Sequence, residues 1–184
     1  MILPNQVSLI IPTYNRQEIA LQTLQYLLKQ SISGFEVILV DQTASNDNDL
    51  KNFKNDVFKY KYLKITETGL PNARNVGVEN AKGDILVFID DDSIPDSDLI
   101  QSYMNLFNDS EKDKCCIGGR VFEKNTTIFR EKDSIIGGWI TWYGKTLKNF
   151  DTDKSGECEW APGGNFSLTK GLFIEAGGFD PNFI

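Results

Sequence analysis

Three consecutive aspartates, Asp90, Asp91 and Asp92, follow the five apolar residues Ile85 to Ile89 in the stretch GDILVFIDDDSIPDSD. Adjacent carboxylates repel one another, and such a cluster is tolerated when a cation or the hydrogen bonds of a polar ligand offset the repulsion. A magnesium or manganese ion held by one or two of these acids, with substrate phosphates as further ligands, fits that chemistry. The plainer reading has Asp92 or Ser93 start a turn and Asp96 or Ser97 cap a helix. It leaves Asp90 and Asp91 unexplained, so the triplet is read as a metal site. A second acid, Asp41, closes another apolar run, Phe35 to Val40.

The elements that must position these acids follow from the pattern of apolar residues. A short run apolar at every position reads as a strand buried on both faces of a parallel sheet, and ligands bind at the carboxyl ends of such strands. Val7 to Pro12, Phe35 to Val40, Tyr60 to Thr66, Ile85 to Ile89 and Cys115 to Phe122 are the expected strands. Helices are expected at Ile19, Leu21, Leu24, Leu27 and Leu28, from Gly69 to a Gly83 C-cap, from Asp98 to Phe107, and from Lys170 to Ala176. Strands alternating with helices predict an α/β fold with a doubly wound, mostly parallel sheet. The alternation stops at Glu123 to Glu159, where Ile135, Ile136, Trp139, Ile140, Trp142 and Tyr143 suggest a short helix or a lid-like excursion. Trp160 to Leu168 reads as a glycine turn entering a strand.

Composition narrows the classes of function. A chain of 184 residues, 40% hydrophobic, has the size of one domain with a substantial core. A net charge of -7 argues against nucleic acid as a partner. No apolar run reaches the roughly 20 residues that span a bilayer, and no leader precedes the first strand, so a soluble, cytoplasmic chain is expected. The three cysteines, two of them adjacent at Cys115 and Cys116, read as reduced and buried. Histidine is absent, which removes Ser-His and Cys-His nucleophile pairs and the usual zinc sites.

The motifs PTYNR, VDQTASND, GLPNARNVGVENAKGD, FIDDDSIP and GGNFSLTKGLFIEAGGFD occur here in a recognisable order. In that order and spacing the chain resembles the family 2 glycosyltransferases of the GT-A fold, which move a sugar from a nucleotide diphosphate to an acceptor hydroxyl. The resemblance covers nearly the whole chain and implies an inverting transferase with a UDP-sugar donor, a Mn²⁺ or Mg²⁺ cofactor, and a glycan, lipid or other hydroxyl acceptor. It places Pro12, Thr13 and Tyr14 on the wall of the nucleotide pocket, Asp41 on the base and Arg74 on the nucleotide side. Asp90 and Asp91 would hold the ribose or its hydration shell. Asp92, the last acid of the family's DxD motif, would ligate the cation, with Asp90 as a second candidate ligand. Gly163, Gly164 and Asn165 would approach the donor sugar or acceptor. On this reading residues 1–122 form a nucleotide-binding half and 123–184 the start of an acceptor-binding half. Enzymes of this class work in the cytoplasm or at the cytoplasmic face of the membrane, and membrane association would run through segments outside these residues.

Each role has a plainer counterpart. Tyr14 can be a core aromatic, Asp41 a loop cap, Arg74 a surface ion pair, and the two glycines a turn with positive φ. In the family an acidic pair that supplies the general base follows the GGFD-type segment, and the sequence ends at Ile184. Asp180 belongs to the GGFD turn and does not align with that base, so the base is expected beyond Ile184. Two rival readings stand beside the transferase. An aspartyl-phosphate phosphatase of the haloacid-dehalogenase type is disfavoured because its motif ends the first strand. A nucleotide-sugar-binding domain of the same fold without turnover is the stronger rival.

Overall fold

The computed structural model describes residues 1–108, 114–122 and 135–183. In chain order the main elements are β1 (Val7–Thr13), α1 (Gln17–Leu27), β2 (Glu36–Asp41), α2 (Asn48–Lys51), β3 (Lys59–Lys64), α3 (Leu70–Asn80), β4 (Ile85–Ile89) and α4 (Leu99–Phe107). There follow β5 (Ile117–Gly118), β6 (Gly137–Ile140), β7 (Thr146–Asn149), β8 (Asn165–Thr169) and α5 (Lys170–Glu175).

Six strands form one sheet in the order β3-β2-β1-β4-β8-β5. The first four run parallel, while β8 is antiparallel to both β4 and β5. Fold class and the mostly parallel sheet therefore agree with the sequence. Strands β1, β2 and β4 are buried at every position, as strands covered on both faces are, and the polar Ser8 and Glu36 among them pair with each other, the Ser8 hydroxyl donating to Glu36 Oε2 at 2.5 Å. Because side chains alternate across a strand, β1 feeds two cores. Val7, Leu9 and Ile11 pack with Leu24 and Leu27 of α1 and with Ile100, Tyr103 and Met104 of α4. Ile10 faces the opposite side, with Ala73 and Val78 of α3 and Phe173 of α5. The last registered pair between β1 and β4 is Ile10 with Phe88, whereas β1 stays paired with β2 to Thr13 and Asp41. Strand order reverses direction between β1 and β4, so a crevice opens there at the carboxyl ends.

Several boundaries differ from expectation. Helix α1 buries Ala20, Thr23, Leu24 and Leu27 and leaves Ile19 and Leu28 exposed. Helix α3 ends on Ala81 rather than on a Gly83 cap. Gly83 is needed for a different reason: a Cβ there would lie 2.6 Å from the backbone oxygen of Gln6. Helix α4 starts after Asp98, with no side-chain cap from Asp96 or Ser97. The strand expected from Cys115 to Phe122 is only Ile117–Gly118, and Cys116 is exposed rather than buried.

Residues 135–149 of the aromatic segment form strands rather than the expected short helix. Strands β6 and β7 pair antiparallel as a hairpin, closed by Thr141 N donating to the Lys145 carbonyl at 2.8 Å. Residues 123–134, the beginning of the expected excursion, lie outside the described residues. Strand β8 returns the chain to the main sheet beside β4.

Candidate active site

Strands β1, β2 and β4 bring Thr13, Asp41 and the aspartate triplet to one end of the sheet. The three aspartates have different surroundings. Asp91 is buried, with a side chain only 1% exposed, and its Oδ2 accepts the Thr13 hydroxyl at 2.6 Å. Its Oδ1 accepts no hydrogen bond from the described residues and is held instead by the ion pair with Arg16 Nη2. Burial pushes the Asp91 carboxyl above the usual range, against the hydrogen bond of Thr13 and the charge of Arg16. Asp90 and Asp92 flank it with side chains 42% and 55% exposed. Arg16 Nη1 donates to Asp92 Oδ2 at 3.2 Å, and Arg74 Nη2 stands 3.5 Å from Asp90 Oδ1. Two guanidiniums thus offset the repulsion that sequence reasoning assigned to a cation. The backbone of the acid loop is fixed from α1, where the Thr23 hydroxyl donates to the Asp91 carbonyl at 2.7 Å and to the Ser93 carbonyl at 3.1 Å.

Asp41 is fully buried, and both its oxygens are engaged. Oδ1 accepts the Thr43 backbone N–H at 2.8 Å. Oδ2 accepts Gln17 Nε2 at 2.8 Å, the Tyr62 hydroxyl at 2.7 Å and Lys64 Nζ at 3.1 Å. Burial alone would raise this carboxyl; the hydrogen bonds from Tyr62, Thr43 and Gln17 outweigh it and hold Asp41 below the usual carboxylate range. Burial pushes the Tyr62 phenol upward, together with its hydrogen bond to Asp41 and the charges of Asp41 and Asp47. Asn15 N donates to the Thr43 hydroxyl at 2.8 Å, tying the loop after β1 to the loop after β2.

Pro12 and Thr13 are buried at the end of β1, and Tyr14 is 51% exposed just beyond them, so Tyr14 is not a core aromatic. Arg74 is buried on α3 rather than paired at the surface. Its guanidinium lies over the rings of Phe166 and Phe179, each 5.4 Å away, and Nη2 donates to the Gly163 carbonyl at 2.7 Å. Burial lowers the Arg74 pKa, and Asp90 opposes that shift. Neither Gly163 nor Gly164 has positive φ. Gly164 is required by contact: a Cβ there would lie 2.6 Å from Asp90 Oδ2. Asn165 accepts the Tyr103 hydroxyl at 2.7 Å and donates Nδ2 to the Arg120 carbonyl at 3.0 Å. Asp180 Oδ1 accepts the backbone and side-chain nitrogens of Asn182, so it caps its own turn.

The structure therefore gathers Thr13, Asp90, Asp91, Asp92, Arg74 and Gly164 at one crevice, with Asp41 beside it on β2. Sequence reasoning gave no role to Arg16, Gln17, Tyr62 or Lys64. A signal existed for two of them, since Tyr62 and Lys64 stand two apart on β3 and so share the face beside the end of β2. Among the described residues no three His, Cys, Asp or Glu side chains are grouped to hold a metal, and no helix is long and apolar enough to cross a membrane.

Comparison with known proteins gives this geometry its relatives. The profile of Glycosyl transferase family 2 matches residues 8–173. Chondroitin synthase of Escherichia coli is 28% identical over 96% of this chain and 30% of its own length. The amylovoran biosynthesis glycosyltransferase AmsB of Erwinia amylovora is 35% identical over 54% of this chain and 35% of its own. Among solved structures, S. aureus TarS 1-349 in complex with UDP-GlcNAc superposes with a TM-score of 0.66 at 18% identity, covering 96% of this chain and 48% of that one. The mannosyltransferase PcManGT of Pyrobaculum calidifontis, in complex with GDP-Man and Mn²⁺, gives 0.65 at 19% identity, with the same coverages. The chain spans less than half the length of these relatives. The two solved structures share its GT-A architecture, a mixed α/β fold whose mostly parallel sheet is flanked by helices. The chain is a member of the family 2 glycosyltransferases.

Proposed function

We propose that the crevice between β1 and β4 binds a nucleotide-diphospho-sugar, a UDP-sugar foremost, and presents it for inverting transfer to an acceptor hydroxyl. The observation that carries this reading is the division of labour in the triplet. Asp91 is locked inward by Thr13, while Asp90 and Asp92 keep exposed oxygens at the crevice mouth. Ligands of open α/β sheets bind at such a switch point, and these two carboxylates are the ones that face it.

The residues present fit a divalent cation. Asp90 and Asp92 offer hard oxygen donors, and the bare Gly164 backbone keeps the space beside Asp90 Oδ2 free of a side chain. Two protein carboxylates suit Mg²⁺ or Mn²⁺, which commonly take their remaining ligands from water and substrate phosphates. When bound, such an ion would neutralise charge building on the departing diphosphate. Asp92 is assigned as the principal ligand and Asp90 as the second, with the ribose side of the donor also near Asp90 and Asp91.

The remaining assignments concern the chain's own groups. Pro12 and Thr13 form the floor of the base pocket, and the half-exposed Tyr14 is placed to stack on the base. Asp41 meets the base N–H by exchanging its Lys64 partner, a side chain 28% exposed and the donor at the longest distance. Arg74 acts from the nucleotide side by holding the Gly163–Gly164 turn against Asp90. Residues 1–122 thus serve the nucleotide and 123–184 begin the acceptor side, where Asn165 fixes the edge of β8. The strand-end acids, Asp41 and Asp90 to Asp92, are all assigned to the nucleotide and cation side of the crevice. None of them is assigned as the base for the acceptor hydroxyl, which is a glycan, a lipid or another alcohol.

A thermal-shift panel of UDP-, GDP- and dTDP-sugars, each with and without Mn²⁺, tests the reading. A melting-temperature rise for one nucleotide class that grows with Mn²⁺ supports it; no rise with any nucleotide refutes it.

A further inference from the structure

The two arginines that neutralise the aspartate triplet are not equivalent. Arg74 is buried, with a side chain 9% exposed, sits against two phenylalanine rings, and is anchored by the Gly163 carbonyl. Arg16 is 48% exposed, leaves the chain at the N-cap of α1, and bridges Asp91 and Asp92 through its two terminal nitrogens. One contact of that bridge is inward, to the buried carboxylate. The other, 3.2 Å to Asp92 Oδ2, is at the exposed mouth and involves the oxygen set most open to a cation.

From this contrast we infer that Arg16 is a displaceable counter-ion that makes divalent cation and nucleotide diphosphate bind cooperatively. The inference rests on the nucleotide-sugar reading above and adds a role to a residue it does not use. A cation approaching Asp92 alone meets a carboxylate already paired with a guanidinium, and it must displace that guanidinium into solvent while losing its own hydration. A cation arriving with a diphosphate meets a different balance. The phosphate oxygens offer the released guanidinium a new anionic partner, which an arginine fork matches in shape as well as charge. Arg16 therefore weakens cation binding in the nucleotide-free chain and strengthens it in the loaded one. Arg74 cannot play this part, because its withdrawal would break the tie to Gly163 and uncover the rings of Phe166 and Phe179.

The linkage is reciprocal, so it is measurable from either ligand. Calorimetric titration with Mn²⁺ alone and with UDP in the absence and presence of Mn²⁺ is carried out on the wild type, Arg16→Gln and Arg16→Lys. The expected coupling in the wild type is about tenfold or more, within the ordinary range of coupling between sites. Arg16→Gln should bind Mn²⁺ alone more tightly than the wild type, bind Mn²⁺-UDP more weakly, and show a coupling several-fold smaller than the wild type. Arg16→Lys, which keeps the charge without the fork, should fall between them. Far-UV circular dichroism checks folding of both variants, and if Arg16→Gln unfolds, the Arg16→Lys titration and the wild-type coupling alone decide. Unchanged Mn²⁺ affinity in the folded variants, or full coupling retained without the guanidinium, would overturn the role of Arg16 while leaving the nucleotide site standing. Failure of the wild type to bind UDP under any condition would instead overturn the nucleotide-sugar reading and this inference with it.

Discussion

Arg74 Nη2 donates to the Gly163 carbonyl oxygen at 2.7 Å, joining the first turns of α3 to the turn that enters β8, 89 residues later in the chain. This bond sets the Gly164 backbone against Asp90 and so links the amino-terminal nucleotide strands to the carboxyl-terminal part of the site. The guanidinium lies over both Phe166 and Phe179, and its Nε has no hydrogen-bond partner among the described residues.

Arg74→Met keeps the apolar stem of the side chain and removes the charge-assisted bond. A hydrogen bond to a charged group contributes about 1.5 to 3 kcal/mol, and a loss of that size is expected in urea unfolding. Nucleotide affinity should fall as well, because the glycine turn is released from Asp90. A variant as stable as the wild type would show that the tie is incidental.

Gly164→Ala places a methyl group 2.6 Å from Asp90 Oδ2 and forces the carboxylate to move. Unfolding should change little, since the glycine has no positive φ to preserve and the clash is with a half-exposed side chain. Mn²⁺-dependent nucleotide binding is expected to weaken about tenfold, the scale on which groups that orient metal ligands act. Retention of wild-type affinity in isothermal titration would remove Asp90 from the cation site.

Asp41 gives the chain a pH signature of definite sign. Its folded pKa lies below the ordinary 3.8, so the stabilisation it contributes is present above that value and is lost as pH falls through the lower folded value. Urea unfolding of the wild type should therefore lose stability steeply below about pH 4. Asp41→Asn should start less stable at neutral pH, because a buried acceptor of four donors is altered, and should show a flatter acid limb. Parallel acid limbs in the two proteins would assign the loss to other carboxylates.

The parts legible in the sequence are those whose signal is local. Ile85 to Ile89 is apolar at every position and is β4 residue for residue; the acids after it fall at the strand end because the run stops there. The roles of Arg16 and Arg74 are not local. Arg16 meets Asp91 and Asp92 only because β1 and β4 lie side by side, and no spacing along the chain encodes that neighbour relation. Gly164 looked like a turn glycine, but its cause is a carboxylate 74 positions earlier in the chain. The hairpin of β6 and β7 was misread because its apolar residues cluster without strand alternation, and Trp142 and Tyr143 stand exposed at its turn. Strand β5 is shorter than its apolar residues suggest because β8 pairs only with Ile117 and Gly118, and Gly119 and Arg120 interrupt the run before Val121 and Phe122.

The central claim, a nucleotide diphosphate held with a divalent cation at Asp92, is tested most directly by calorimetric titration of UDP into the wild type and Asp92→Asn, each with Mn²⁺ and with chelator. The account predicts that Mn²⁺ tightens UDP binding to the wild type by about tenfold or more and that Asp92→Asn loses most of this gain. UDP binding of equal strength with Mn²⁺ and with chelator, or an undiminished Mn²⁺ effect in Asp92→Asn, would contradict it.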